Sequence, residues 1–211
     1  HFDPAFSQKS WVAYFDLLGT QKLIRTKHIV EVFTVYAHAI ERASRELHSQ
    51  NVVRHTWFSD TFLMFSVNDS ISDFTYLEQA ARIFAVGLLH RNIPLRGAIS
   101  CGEFYSDSNR NIYFGEALIE AYKYGEIQDW IGFVLCPSAV SRLSSLGFPA
   151  TERRNYAFTD IPLKSKVKDP IDPYLPACVL GDWFHIDGRN PCIDILRDMK
   201  SAITDESILR K

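Results

Sequence analysis

Two short apolar, aromatic-rich runs, Val52–Phe58 and Phe62–Val67, are separated only by Ser59-Asp60-Thr61. No more than a tight turn fits such a gap, so the pair reads as a β-hairpin with Asp60 at its tip. On both sides of the hairpin the apolar period becomes helical. From about Ile29 to Leu47, Val32, Phe33, Tyr36, Ala39, Ile40, Ala43 and Leu47 recur at spacings of three and four. From Asp73 to His90, Phe74, Leu77, Ala81, Phe84, Ala85 and Leu88 do the same, and Pro94 stops that helix. Outside the two helices lie Trp11–Leu18 and Leu95–Tyr105, whose length and content suit buried strands.

Gly115–Tyr124 then reads as a helix start and Ile131–Cys136 as a short buried strand. The order to residue 136 is strand–helix–strand–strand–helix–strand–helix–strand. A hairpin flanked by helical crossovers predicts an α+β fold: an antiparallel-centred sheet with helices packed on one face, a ferredoxin-like palm. Beyond Pro137 the pattern weakens. A helix is expected at Ser138–Leu146, a strand at Tyr156–Leu163, a lysine- and proline-rich loop at Lys164–Pro176, a strand at Val179–Ile186 and a helix at Cys192–Ser201.

The chain has 211 residues, 46% hydrophobic and 23% charged, without repeats or low-complexity segments. A chain of this size buries roughly 70% of its unfolded surface, so one domain over 1–211 is expected, with a core at about 11–136 and an extension at 137–211. Lys and Arg number 23 against 25 Asp and Glu, a net charge of −2. That provides no field for a stable nucleic-acid partner. An anionic ligand must be held locally, by a metal or a few placed cations. Cys101, Cys136, Cys178 and Cys192 form no CxxC pair and read as reduced core thiols. No signal-peptide pattern precedes Trp11, and the apolar runs fall short of the ~18 residues of a membrane span. A cytoplasmic protein without a membrane partner is the expectation.

Asp16 interrupts WVAYFDLL, and Asp60 sits inside WFSDTFLMF. A carboxylate among large apolar residues is costly unless it is paired, capped or metal-bound. Each acid alone also suits a turn or cap bonded to backbone amides. Together, on adjacent strands, they would make a site for hard divalent cations, with the Leu17 carbonyl completing a coordination sphere. The Leu18-Gly19-Thr20 turn beside them can present N–H groups to a triphosphate. Arg96, a cation inside the apolar LRGAIS strand, is placed to pair with a metal-site carboxylate or with the triphosphate. The sequence carries no Ser-His-Asp or Cys-His signature and no HExxH.

The segments FDLLGT (Phe15–Thr20) and FSDTFLMF (Phe58–Phe65) resemble the metal-binding core of class III nucleotidyl cyclases. LRGAISCGEFY (Leu95–Tyr105) and GEALIEAYK (Gly115–Lys123) resemble that family's next strand and Gly-led helix. The wording YFDLLG, SDT, RGAIS-x-GE and GEALIEAY is most similar to the pyrimidine cyclases of bacterial Pycsar antiphage systems. The resemblance implies a lyase that converts a pyrimidine nucleoside triphosphate, UTP in preference to CTP, to the 3′,5′-cyclic mononucleotide and pyrophosphate. It further implies two Mn²⁺ or Mg²⁺ ions per site at Asp16, Leu17 and Asp60, a homodimer with sites at the interface, and a downstream effector that reads the cyclic nucleotide. Substrate-binding positions would be Leu18, Gly19, Thr20 and Thr56.

Several positions depart from the family pattern. Thr56 stands where purine cyclases carry a base-reading Lys, and Ile112 where they often carry a base-reading Asp. Ile119 replaces a transition-state Asn, and Lys123 a transition-state Arg, so the catalytic cations would be Lys123 and Arg96. Lysine neutralises a phosphate without arginine's fork. The alternatives are a cyclase using CTP or a purine triphosphate, another two-acid palm such as a diguanylate cyclase or polymerase-like domain, and a degenerate domain that senses a nucleotide.

Overall fold

The computed structural model describes residues 8–19, 34, 37, 38, 41, 42, 45, 53–152, 155–165, 171, 173–178 and 191–201. Its strands are β1 (Gln8–Leu17), β2 (Val53–Phe58), β3 (Thr61–Ser66), β4 (Leu95–Asp107), β5 (Ile112–Phe114), β6 (Gly132–Leu135), β7 (Tyr156–Asp160) and β8 (Tyr174–Cys178). The helices with defined ends are α1 (Ile71–Leu89), α2 (Glu116–Ile127), α3 (Pro137–Ser145) and α4 (Pro191–Ser201). Within the helix expected at 29–47, the described residues 34, 37, 38, 41, 42 and 45 are all helical.

One sheet runs in the order β2-β3-β1-β4-β6-β8-β7, with β5 added to β4. Strands β2, β3, β1 and β4 are antiparallel neighbours, and β6 joins β4 in parallel. The first four strands thus make the expected palm. The β2–β3 hairpin is real: Phe58 pairs with Thr61, leaving Ser59-Asp60 as a two-residue loop. Ser59 takes φ 57°, the positive value that two-residue hairpin loops demand. The Trp57 indole N–H donates to the Ser59 carbonyl at 2.5 Å and ties down the tip.

The helices do not share one face, which corrects the sequence expectation. Trp11, Ala13, Phe15 and Leu17 of β1 pack with Phe74, Leu77 and Phe84 of α1 and Leu143 of α3. The alternate residues Val12 and Tyr14 pack on the other face with Phe65, Phe104 and the α2 residues Ala117 and Ala121. A central strand covered on both sides has no polar face, which is why β1 is apolar without alternation from Trp11 to Phe15.

Helix α2 lies very close to the sheet. Ala117, Ala121 and Gly125 form a seam of small residues on its buried side. A Cβ on Gly125 would meet the Tyr14 ring at 2.6 Å, and one on Gly97 of β4 would meet the Tyr14 carbonyl at 2.4 Å. Glu120 of α2 accepts the Ser138 N–H at 3.3 Å and its hydroxyl, capping α3.

Toward the C-terminus a second correction arises. The segment expected to be loop through Pro176 contains strand β8, paired with β7 from Tyr174↔Asp160 to Cys178↔Tyr156. Pro176 lacks an N–H and argued against a strand. It is accommodated because β8 has a full ladder with β7 and only the Val134↔Ala177 pairing with β6. The strand expected at Val179–Ile186 lies outside the described residues. Cys101, Cys136 and Cys178 are buried free thiols, as expected, whereas the Cys192 side chain lies outside the described residues. No helix among the described residues is long and apolar enough to cross a membrane.

Candidate functional site

Strand register assembles the site. Asp16 is the penultimate residue of β1, opposite Thr61 on β3 and Arg96 on β4. Directly opposed residues project from the same face of a sheet, so Asp16 and Arg96 emerge side by side on the face covered by α2. They form a buried ion pair between Asp16 Oδ2 and Arg96 Nη2. Asp60 arrives from the hairpin: its carbonyl accepts the Leu17 N–H at 3.0 Å, fastening the turn to the end of β1. The Asp16–Arg96 pair and the backbone of the Asp60 turn thus lie at the same end of β1, on either side of Leu17.

The α2 face adds residues that sequence reasoning missed. Arg96 Nη2 donates to both oxygens of Glu126, at 3.1 and 3.2 Å, and Nη1 donates to the Gln128 carbonyl at 3.1 Å. The Tyr14 hydroxyl donates to Glu126 Oε1 at 3.0 Å, and Lys164 Nζ to Oε2 at 3.3 Å. Gln128 is fully buried, and its side-chain amide donates to the carbonyls of Gly97 and Tyr124 at 2.8 and 2.7 Å. The one sequence signal for this docking is the Ala117–Ala121–Gly125 spacing, which marks a close-packed helix face. Nothing in the sequence ties Glu126 to Arg96 across 30 residues.

Charge in the cluster is uneven. Burial raises the pKa of Asp16; Arg96 opposes this, while Glu126 and Asp60 add to it. Burial also acts to raise Glu126, but the Arg96 charge, the Tyr14 hydrogen bond and Lys164 outweigh it and hold the carboxyl below its ordinary value. Burial and the neighbouring acids push the Tyr14 hydroxyl upward. Three carboxylates (Asp16, Asp60, Glu126) thus face two cations (Arg96, Lys164).

That donor set fits a hard divalent cation. The ligands on offer are oxygens, and burial raises the pKa of Asp16, a penalty on its charge that a nearby cation relieves. Among the described residues no group of three or more His, Cys, Asp or Glu converges to hold a metal. A protein contribution of one or two carboxylates, completed by substrate phosphates and water, is the usual pattern for Mg²⁺.

The remaining candidates are placed as follows. The Leu18 N–H, expected to face a triphosphate, is donated to the Pro94 carbonyl at 2.9 Å. The expectation for this turn therefore narrows to Gly19, exposed with φ 74°, and to Thr20, which lies outside the described residues. Thr56 is half-buried on β2, opposite Leu63 and four residues before Asp60. Lys123 is exposed on α2. With Ile119 it lies about 200° around the helix from the Ala117–Ala121–Gly125 seam, facing away from the Asp16 cluster of its own chain.

No family model matches the chain, and no curated protein matches it. Solved structures do. The catalytic core of a rhodopsin-guanylyl cyclase with converted specificity, in complex with ATPalphaS, aligns with a TM-score of 0.60 at 8% identity, over 82% of this chain and 97% of that one. An adenylate/guanylate cyclase/hydrolase from Silicibacter pomeroyi gives 0.56 at 16% identity, over 83% and 98%. The adenylyl cyclase CyaB from P. aeruginosa gives 0.52 at 12% identity, over 82% and 94%. The fold is that of nucleotidyl cyclase catalytic domains, a mixed α+β palm.

Proposed function

We propose that this protein is a nucleotidyl cyclase acting on a pyrimidine nucleoside triphosphate, UTP first, to form the 3′,5′-cyclic mononucleotide and pyrophosphate. The observation that carries the reading is the meeting of Asp16 with the Asp60 turn, joined by the Leu17–Asp60 backbone bond, inside a nucleotidyl cyclase fold. In the reaction the ribose 3′-oxygen bonds to the α-phosphorus as the bond to the bridging α–β oxygen breaks, and the hydroxyl proton leaves to solvent.

Asp16, Asp60 and the Leu17 carbonyl would hold two Mn²⁺ or Mg²⁺ ions. When bound, such ions lower the pKa of the attacking hydroxyl and neutralise the leaving phosphates. Arg96 adds a fixed cation beside the phosphates, and Gly19 and Thr20 contribute backbone at the turn. Positioning and charge stabilisation suffice for an in-line displacement, which suits a chain without a protein nucleophile.

The pyrimidine preference rests on Thr56 and Ile112, which stand where the resembled purine cyclases carry Lys and Asp. A purine would leave its hydrogen-bonding groups without those partners, an effect worth several kcal/mol of discrimination. The preference for UTP, the antiphage role and an effector that reads the product rest on the resemblance to the Pycsar cyclases. A homodimer is supported by exposed apolar residues: Phe58 at the hairpin, Phe114 on β5, and Ile119 and Tyr122 one turn apart on α2. Lys123, turned outward beside Ile119, would serve the site of the second copy.

One observation favours a second reading, a nucleotide-sensing module. Asp16 is already paired with Arg96, so its carboxylate has a cationic partner on the protein itself. Incubation with Mn²⁺ and each of the four nucleoside triphosphates, followed by mass spectrometry, separates the two. Cyclic UMP or cyclic CMP from wild type, but not from Asp60→Ala, is the expected result. Cyclic AMP as the main product overturns the base preference, and no product with any triphosphate leaves the sensor.

A further inference from the structure

Arg96 is buried and touches two carboxylates, of which the reaction above uses only one. A divalent ion on Asp16 competes with Arg96 for the same oxygens and repels its charge. A buried guanidinium that loses its only carboxylate is strongly destabilising. Glu126 removes that obstacle. Its two oxygens already accept from Arg96, and it is held from the other side by Tyr14 at 3.0 Å and Lys164 at 3.3 Å. The Gln128 carbonyl keeps Nη1 in place, and the Gln128 side chain ties this end of α2 to β4.

We propose that Glu126 is a positioning residue: it retains the Arg96 guanidinium when a divalent cation takes the Asp16 carboxylate, so that the metal displaces an ion pair without stranding a buried charge. The inference rests on the metal-dependent cyclase reading and deepens it. Glu126 acts through Arg96 rather than as a third ligand, in keeping with the lack of a three-acid cluster among the described residues. Outer-shell partners of this kind typically control metal affinity by about 10–100-fold.

The test is a double-mutant cycle on Mn²⁺ binding by calorimetry, with the metal alone, on wild type, Glu126→Gln, Arg96→Lys and the double variant. Melting curves without metal confirm that each is folded. Glu126→Gln is expected to weaken Mn²⁺ binding about tenfold or more. In the Arg96→Lys background, where a single ammonium cannot span both carboxylates, the same change should cost less than about twofold. Equal losses in both backgrounds would mean that Glu126 attracts or binds the ion directly, and would overturn the proposal. Should Arg96→Lys not fold, Glu126→Asp decides: it keeps the charge but loses reach to Arg96, so weakened binding supports the proposal and wild-type affinity sinks it. Wild-type protein that binds no Mn²⁺, either alone or with an unreactive 3′-deoxynucleoside triphosphate present, refutes the metal site itself, and this inference with it.

Discussion

Arg96 is only 8% exposed, and a full charge is tolerable there because Asp16, Glu126 and the Gln128 carbonyl all meet it. The two acids respond to pH in opposite directions. Glu126 is held below its ordinary value of 4.5, so its ionised form stabilises the fold above that pH, and the stabilisation is lost as pH falls through the lowered value. Asp16 is raised, so its ionisation weakens the fold as pH rises through the raised value. The melting temperature of wild type should therefore exceed that of Glu126→Gln above the ordinary value of 4.5, with the gap closing as pH falls through the lowered value. A gap that does not change with pH would show that folding leaves the Glu126 carboxyl at its ordinary value. Asp16→Asn should lower Mn²⁺-dependent turnover at least about 100-fold yet leave a cooperative melt, because Glu126 still pairs with Arg96.

Helix α2 approaches the sheet across Gly125, and β4 approaches β1 across Gly97. A Cβ at Gly97 would strike backbone, the Tyr14 carbonyl, at 2.4 Å, whereas one at Gly125 would strike the Tyr14 ring at 2.6 Å. A ring can give way more easily than a central strand. Gly97→Ala should therefore cost about 3 kcal/mol or more and Gly125→Ala about 1–2 kcal/mol in urea denaturation. The reverse order would mean that the Tyr14 ring is less able to give way than the strand. At this scale most elements were legible in the sequence, because period and turn chemistry are local. The β2–β3 hairpin, α1, β4 and the Gly115-led α2 stand where the pattern put them. Strand β8 was not legible, since Pro176 argues against a strand until the β7 ladder is known. The face chosen by α2 was hidden too, because a strand buried on both sides shows no alternation to orient its neighbours.

For the whole molecule, the outward position of Lys123 and the buried position of Asp16 on the same chain make a strong demand. If both serve one reaction, the site needs two copies. Equal mixing of Asp60→Ala with Lys123→Ala, each inactive alone, should restore about a quarter of wild-type turnover. Half of the dimers would be mixed, with one intact site in two. No recovery on mixing, in protein that sedimentation shows to be dimeric, would place the whole site within one chain or exclude Lys123 from it. Ile119→Asp, which puts a charge on the exposed apolar face of α2, should shift the protein to monomer in sedimentation velocity at micromolar concentration.

The sequence by itself determined the palm and its two aspartates, because a carboxylate inside an apolar strand and a three-residue gap between strands each admit few structures. It also marked Arg96 as a cation in an unusual place. Only the tertiary structure decided what those groups meet. Strand register set Asp16 opposite Arg96, the Leu17–Asp60 bond closed the hairpin onto β1, and the close approach of α2 delivered Glu126 to Arg96. These contacts join residues far apart in the chain, and no local pattern of period, turn or charge encodes a partner at that separation.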